Sequence, residues 1–264
     1  MTWTVAVAGK GGTGKTTLAG LIIRHLIERD AGPVLAIDAD PSSNLNVVLG
    51  MELKRTVGDI REETVEQAKA GRLDAGVAKA DLLDYEINAC LEEGCGVDLL
   101  AMGRPEGPHC YCGANAMLRT IIDRIATAYT WVVMDTEAGL EHISRRTTRD
   151  VDLLLVVTDP TMRGVTAAGR VAKLVAELGT RVGAARLVLN RAVGAVPQDL
   201  AEAIAATGLE KVATIPADPL VNEYDATGRP LVELPDDDPT VVAVRDLVDQ
   251  LVPQATASQG GARC

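Results

Sequence analysis

The segment that most narrows the folds open to this chain lies at its start. An apolar run, Thr2–Ala8 (TWTVAVA), breaks into Gly9-Lys10-Gly11-Gly12-Thr13-Gly14-Lys15-Thr16-Thr17 and then into a helical pattern over Lys15–Arg29. A strand that feeds a glycine-rich turn and then a helix is the context a phosphate-binding loop requires. Glycines let backbone N–H groups converge on phosphate oxygens without Cβ clashes, and the helix amino terminus adds its partial positive charge. Gly11, Gly12, Thr13, Gly14 and Thr17 therefore belong to the cradle. Lys15 is placed to reach the β- and γ-phosphates, and the Thr16 hydroxyl to bind Mg²⁺, so ATP or ADP with Mg²⁺ is the expected ligand.

The rest of the chain repeats the strand-then-helix order. Pro33–Asp38, Val97–Met102, Trp131–Asp135, Val151–Thr158, Arg186–Asn190 and Lys211–Ile215 read as further strands, several apolar on consecutive residues as in strands buried on both faces. Ala114–Ala128, Met162–Leu178, Gln198–Ala206 and Thr240–Val252 read as helices. The expectation is an α/β fold with a doubly wound, mostly parallel sheet of seven or eight strands and helices on both faces. Residues 1–252 read as one domain, because no linker or repeat divides them. Met51–Gly96 is charged and weakly periodic, expected as short helices attached outside the sheet and facing a partner. The tail, Pro253–Cys264, is small and polar and reads as frayed.

Composition removes several functions. With 47% hydrophobic residues but only 2% aromatic and no Phe, the core must be built from Val, Leu, Ile and Ala, and the composition argues against stacking of bases on exposed aromatics. A net charge of −11 argues against sequence-independent nucleic-acid binding and anionic-membrane binding. No apolar stretch reaches the roughly 18–20 residues a bilayer span needs. The amino terminus lacks a basic segment followed by a cleavage site, so a cytoplasmic protein is expected.

Lys10, a second lysine inside the loop, gives the pattern KGGxGKT. In this the chain resembles the deviant Walker A ATPases, the group of MinD, ParA and the nitrogenase iron protein. The resemblance implies a homodimer in which Lys10 contacts the nucleotide of the opposite protomer and acts in hydrolysis with Lys15 and Asp40. It also implies that Asp40, in Asp38-Ala39-Asp40-Pro41, positions the attacking water from switch I while Asp38 supports the Mg²⁺ shell. In Asp135-Thr136-Glu137-Ala138-Gly139, Asp135 would hold a water on Mg²⁺ and Gly139 would sense the γ-phosphate. Asn190-Arg191 and Pro216-Ala217-Asp218-Pro219 match the adenine-side segments of that group.

Five cysteines, Cys90, Cys95, Cys110, Cys112 and Cys264, suggest metal or redox chemistry or buried thiols before a disulfide framework. Cys110 and Cys112 form a C-x-C pair that leaves two positions of a tetrahedral site open. A two-fold dimer would supply the other two sulfurs, and such a site suits Zn²⁺, Cu⁺, thiolate-bound Ni²⁺ or an iron–sulfur cluster. GRPEGPHCYCGAN (103–115) with DTEAGLEHISRR (135–146) closely resembles the CooC-type accessory ATPases of nickel-dependent carbon monoxide dehydrogenase. That resemblance implies a metallochaperone that binds metal, nickel first, through Cys110 and Cys112 of two protomers, with the dehydrogenase as client. Cys90 and Cys95 read as ordinary cysteines, Cys264 as incidental, His109 as a loop histidine, and Glu141 and His142 as packing around switch II. Two other readings stay open. One is an ATP-driven electron donor with a [4Fe–4S] cluster between subunits, although 135–146 holds no cysteine. The other is a positioning ATPase, for which Thr240–Val252 lacks the basic amphipathic character.

Overall fold

The structure, a computed structural model, describes residues 2–69, 85, 87–103, 122–136, 151–178 and 182–251. Strands β1 (Trp3–Gly9), β2 (Val34–Asp38), β3 (Glu92–Glu93), β4 (Val97–Ala101), β5 (Trp131–Asp135), β6 (Val151–Thr158), β7 (Val182–Ala192) and β8 (Glu210–Pro216) form one sheet. Their order is β3-β4-β2-β5-β1-β6-β7-β8, parallel throughout except for β3 against β4. The described helices are α1 (Lys15–Glu28), α2 (Leu45–Leu49), α3 (Val57–Lys69), α4 (Met162–Leu178), α5 (Gln198–Ala205), α6 (Pro219–Thr227) and α7 (Pro239–Leu251), with a 3₁₀ turn at Leu231–Glu233. Residues 122–126 are also helical; the rest of the predicted helix Ala114–Ala128 lies outside the described residues, as does the tail 253–264.

The continuous apolar strands are buried on both faces because side chains alternate between two cores. Val5, Val7, Val34, Leu99, Val133 and Leu155 face one side, under α1 and α7. Ala6, Ala8, Leu35, Leu100, Val132 and Leu154 face the other, under α3 and α4. Leu18, Ile22, Ile23 and Leu26 of α1 are each at most 1% exposed. Burial of each such side chain stabilises by roughly 1.5–3 kcal/mol. Helix α1 is therefore clamped over the sheet centre, and the loop that opens it is held at the carboxyl edge. Its far end is tied to α7 through Asp249, which meets His25 Nε2 at 2.9 Å and Arg29 Nη1 at 3.3 Å.

The structure corrects the sequence reading in four places. The eighth strand is β3, a two-residue antiparallel edge that two acidic residues do not announce. Helices α2 and α6 were not predicted. The segment 51–96 is also not wholly outside the sheet: Val57, Ile60, Ile87 and Cys90 are at most 2% exposed and belong to the core. Strand β7 begins four residues before the predicted Arg186 and runs on past Asn190.

Candidate functional site

The described candidate residues gather at the carboxyl edge of the central strands, where β1, β2, β5 and β7 end. Strand β1 stops at Gly9, whose backbone (φ +150°) lies against the Val157 carbonyl of β6. The loop then turns on Thr13, whose hydroxyl donates to the Lys10 carbonyl at 2.8 Å. Gly14, at φ +87°, caps α1 in the left-handed region without a side-chain hydrogen bond, and the first turn of α1 carries no acidic residue. The leading N–H groups of a helix have no intrahelical partner, and here neither a capping side chain nor a carboxylate competes for them. An anion site results. Lys15 is buried (7% exposed), whereas Lys10 is exposed. The two lysines of the loop thus face different surroundings: one lies inside the cradle, the other is open to solvent or a second chain.

Behind the loop stands a carboxylate cluster. Asp38 and Asp135 end neighbouring strands in register, and each is 1% exposed. The Thr16 hydroxyl donates to Asp135 Oδ2 at 2.5 Å, while Asp135 Oδ1 is buried with no hydrogen-bond partner. Burial pushes the Asp135 carboxyl up to about 7; the Thr16 hydrogen bond opposes that shift, and the nearby Asp38 charge adds to it. Burial likewise raises Asp38 to about 6, against the pull of N–H donors from Leu45 and Asp40. Those donors, at 2.9 Å and 3.1 Å, occupy both Asp38 oxygens. Asp38 therefore pins the 40–45 segment to the sheet, and Asp135 keeps an oxygen to spare. Asp40 is partly exposed and accepts the Ser42 N–H at 2.9 Å. A hydroxyl, a carboxylate with an orphaned oxygen and a buried lysine fit a hard divalent cation beside phosphate.

On the other flank of the loop is a cavity of about 250 Å³. Thr17, Asn190, Arg191, Pro216 and Asp218, all nominated from sequence, line it. Asp218 accepts the Leu220 N–H at 2.7 Å as the N-cap of α6, with Pro219 in the first turn. Sequence reasoning missed Asn222 and Thr240. Thr240, 4% exposed, has a buried hydroxyl without a partner on the cavity wall. Its signal was available: Asp238-Pro239-Thr240 opens a helix as Asp218-Pro219 does, and Asp238 accepts the Thr240 and Val241 N–H groups at 2.8 and 3.2 Å.

Gly139, Cys110, Cys112, His109, Glu141, His142 and Cys264 lie outside the described residues. Cys90 is a buried thiol whose Sγ–H donates to the Thr56 carbonyl at 3.6 Å. Cys95 is exposed and lies just before β4. Among the described residues no cluster of three His, Cys, Asp or Glu side chains could hold a metal ion. Among those same residues no helix is long and apolar enough to cross a membrane.

The comparisons agree with this geometry. The sequence profile of the CobQ/CobB/MinD/ParA nucleotide binding domain matches residues 4–231. An ATP-binding protein of Methanocaldococcus jannaschii, itself described as uncharacterized, is 41% identical over 94% of this chain and 98% of its own. The carbon monoxide dehydrogenase accessory protein CooC of Rhodospirillum rubrum is 34% identical over 67% of this chain and 70% of its own. The septum site-determining protein MinD of Pyrococcus horikoshii, solved with Mg-ADP, has the same fold. Its TM-score is 0.69 at 21% identity, over 98% of this chain and all of that one.

Proposed function

The chain belongs to the CobQ/CobB/MinD/ParA nucleotide-binding family, and on that premise we propose that it is an ATP-hydrolysing metallochaperone that works as a homodimer. Each subunit contributes Cys110 and Cys112 to a shared thiolate site for a metal ion, nickel first, destined for a carbon monoxide dehydrogenase. The observation that carries the ATPase reading is the buried Asp135. One of its oxygens is tied to Thr16 and the other is unpartnered, beneath an uncapped helix amino terminus. The finer reading is supported by the C-Y-C segment and by the 34% identity to the CooC accessory protein.

The residues divide the work as follows. The N–H groups of Gly11–Thr17 hold the phosphates, and Lys15 neutralises charge on the β- and γ-phosphates. Thr16 and Asp135 would hold Mg²⁺, which would supply positive charge to offset that of the phosphates. Asp38 keeps the segment that carries Asp40 at the edge of the sheet, where Asp40 orients the attacking water. Lys10, exposed in one subunit, reaches the nucleotide of the other. The cavity beside Asn190, Pro216 and Asp218 takes the base. Closing of the dimer alters the separation of the two C-Y-C pairs, so nucleotide and metal are linked through their preference for one dimer geometry.

The test is metal per dimer, measured with a non-hydrolysable ATP analogue on the wild type and on Cys110→Ala and Cys112→Ala. The expected result is one Ni²⁺ or Zn²⁺ per wild-type dimer, lost in either variant. Undiminished stoichiometric binding in the variants rejects the site. A reducible visible absorption after anaerobic reconstitution rejects the chaperone reading in favour of electron transfer.

A further inference from the structure

Strand β7 does not end as an ordinary strand. Successive side chains of a strand point to opposite faces, so Asn190 and Arg191 should diverge. Instead the β7–β8 register shifts between Leu189 and Ala192. Arg191 sits at φ +57°, a backbone conformation uncommon outside glycine. Irregularities of this kind re-aim side chains beside functional sites. Here the outcome is that both residues reach the same loop. Asn190 Nδ2 donates to the Thr13 carbonyl at 2.8 Å, and Arg191 Nη1 donates to the Gly12 carbonyl at 2.9 Å. The Arg191 N–H donates to Asn190 Oδ1 at 2.9 Å, which fixes the amide so that its NH₂ faces Thr13.

Those two carbonyls matter because each shares a rigid plane with a neighbouring N–H. In a trans peptide the C=O and N–H point in opposite directions. A donor on the Gly12 carbonyl therefore sets the direction of the Thr13 N–H, and a donor on the Thr13 carbonyl sets that of the Gly14 N–H. The Thr13 N–H is held otherwise only by a long 3.4 Å turn contact to Lys10. We propose that Asn190 and Arg191 are positioning residues: together they form a two-donor brace on the back of the phosphate loop. The brace holds the N–H groups of Thr13 and Gly14 toward the ligand side before nucleotide arrives. The left-handed backbone of Arg191 persists because this brace requires it. The inference rests on the nucleotide-binding reading but changes the role of Arg191, from contact with the base to organisation of the anion site.

The two roles separate when the base is removed from the ligand. Binding of Mg²⁺–tripolyphosphate and of Mg²⁺–ATP is measured calorimetrically on the full chain for the wild type, Arg191→Ala, Arg191→Gln and Arg191→Lys. A brace weakens both ligands by the same factor in Arg191→Ala, about five- to tenfold, the effect of one hydrogen bond. Arg191→Gln, which keeps a neutral donor, recovers part of the loss. Weakened ATP with unchanged tripolyphosphate overturns the proposal in favour of a base contact. Full recovery by Lys with none by Gln overturns it in favour of long-range charge, and no change in any variant shows the contact to be idle. Wild-type protein that binds neither ligand refutes the nucleotide reading itself, an outcome distinct from variants that match a binding wild type.

Discussion

Asp135→Asn is expected to make the nucleotide-free protein more stable at pH 8 while abolishing its ATP turnover. Asp135 lies at the centre of the sheet, 1% exposed, in register with Asp38. Its carboxyl is pushed from 3.8 to about 7 by burial first, and Asp38 is pushed to about 6 by the same cause. A folded-state value above the unfolded one means that the folded protein binds the proton more tightly. The associated stability is complete below about pH 4 and is lost as pH rises through 6 and 7. Each unit of displacement is worth about 1.4 kcal/mol, so at pH 8 the ionised pair burdens the fold by several kcal/mol as an order of magnitude.

Asparagine keeps the shape and can still accept from Thr16, yet has no charge to desolvate. Its melting temperature at pH 8 should therefore exceed that of the wild type by roughly 3–8 °C, since about 1 kcal/mol moves a domain of this size by 2–4 °C. The advantage should fade near pH 4, where the wild-type carboxyls are protonated. Turnover should fall by about a hundredfold or more, because a neutral amide cannot serve the cation beside the phosphates. Thermal melts at the two pH values, with a phosphate-release assay, check both halves. An Asn variant less stable than wild type at pH 8 would show that the buried carboxylate is an asset to the apo fold.

The parts of this fold that could be read from sequence are those where one physical demand governs every residue. Strands β1, β2, β5 and β6 had to be apolar on both faces, and their runs appear almost to the residue. The loop Gly9–Thr17 was legible for a similar reason, since its glycines and lysine have few other uses directly after a strand. Helix α3 was not, because its sequence VGDIREETVEQAK is mostly polar; among its described side chains Val57 and Ile60 enter the core. Helix α6 hid behind Asp218-Pro219, read as a base-side segment when the same pair is also an N-cap with proline in the first turn. The aim of Arg191 was illegible in principle: it follows from a register shift, which belongs to two strands together and to neither alone. Thr240 is a different case: the Asp238-Pro239 helix start that places it is legible in the sequence, whereas the unpartnered state of its buried hydroxyl shows only in the packing.

Gly9→Ala should be the most damaging methyl group that can be added to the phosphate loop. The Cβ would overlap the Val157 carbonyl oxygen and lie 3.1 Å from the Val157 carbonyl carbon, on a backbone at φ +150°. The obstruction is the main chain of β6, paired with β1 through Gly9↔Val157, so it cannot rotate away as a side chain could. A cost of more than about 3 kcal/mol follows from strain and disrupted pairing together. Gly14→Ala meets a softer obstacle: its Cβ overlaps Asn190 Nδ2, a side-chain atom that can swing aside. That variant should stay folded but release the Thr13 carbonyl and lose nucleotide affinity. At Gly11 a Cβ meets nothing within 4 Å, so Gly11→Ala should melt close to the wild type. Urea midpoints for the three variants, taken with ATP titrations, give the ranking. A Gly9→Ala protein as stable as Gly11→Ala would refute the close approach of β1 and β6. If the predicted order holds, stability and affinity are set at separate points of one loop: the first where the chain leaves the sheet, the second where β7 reaches across to hold it.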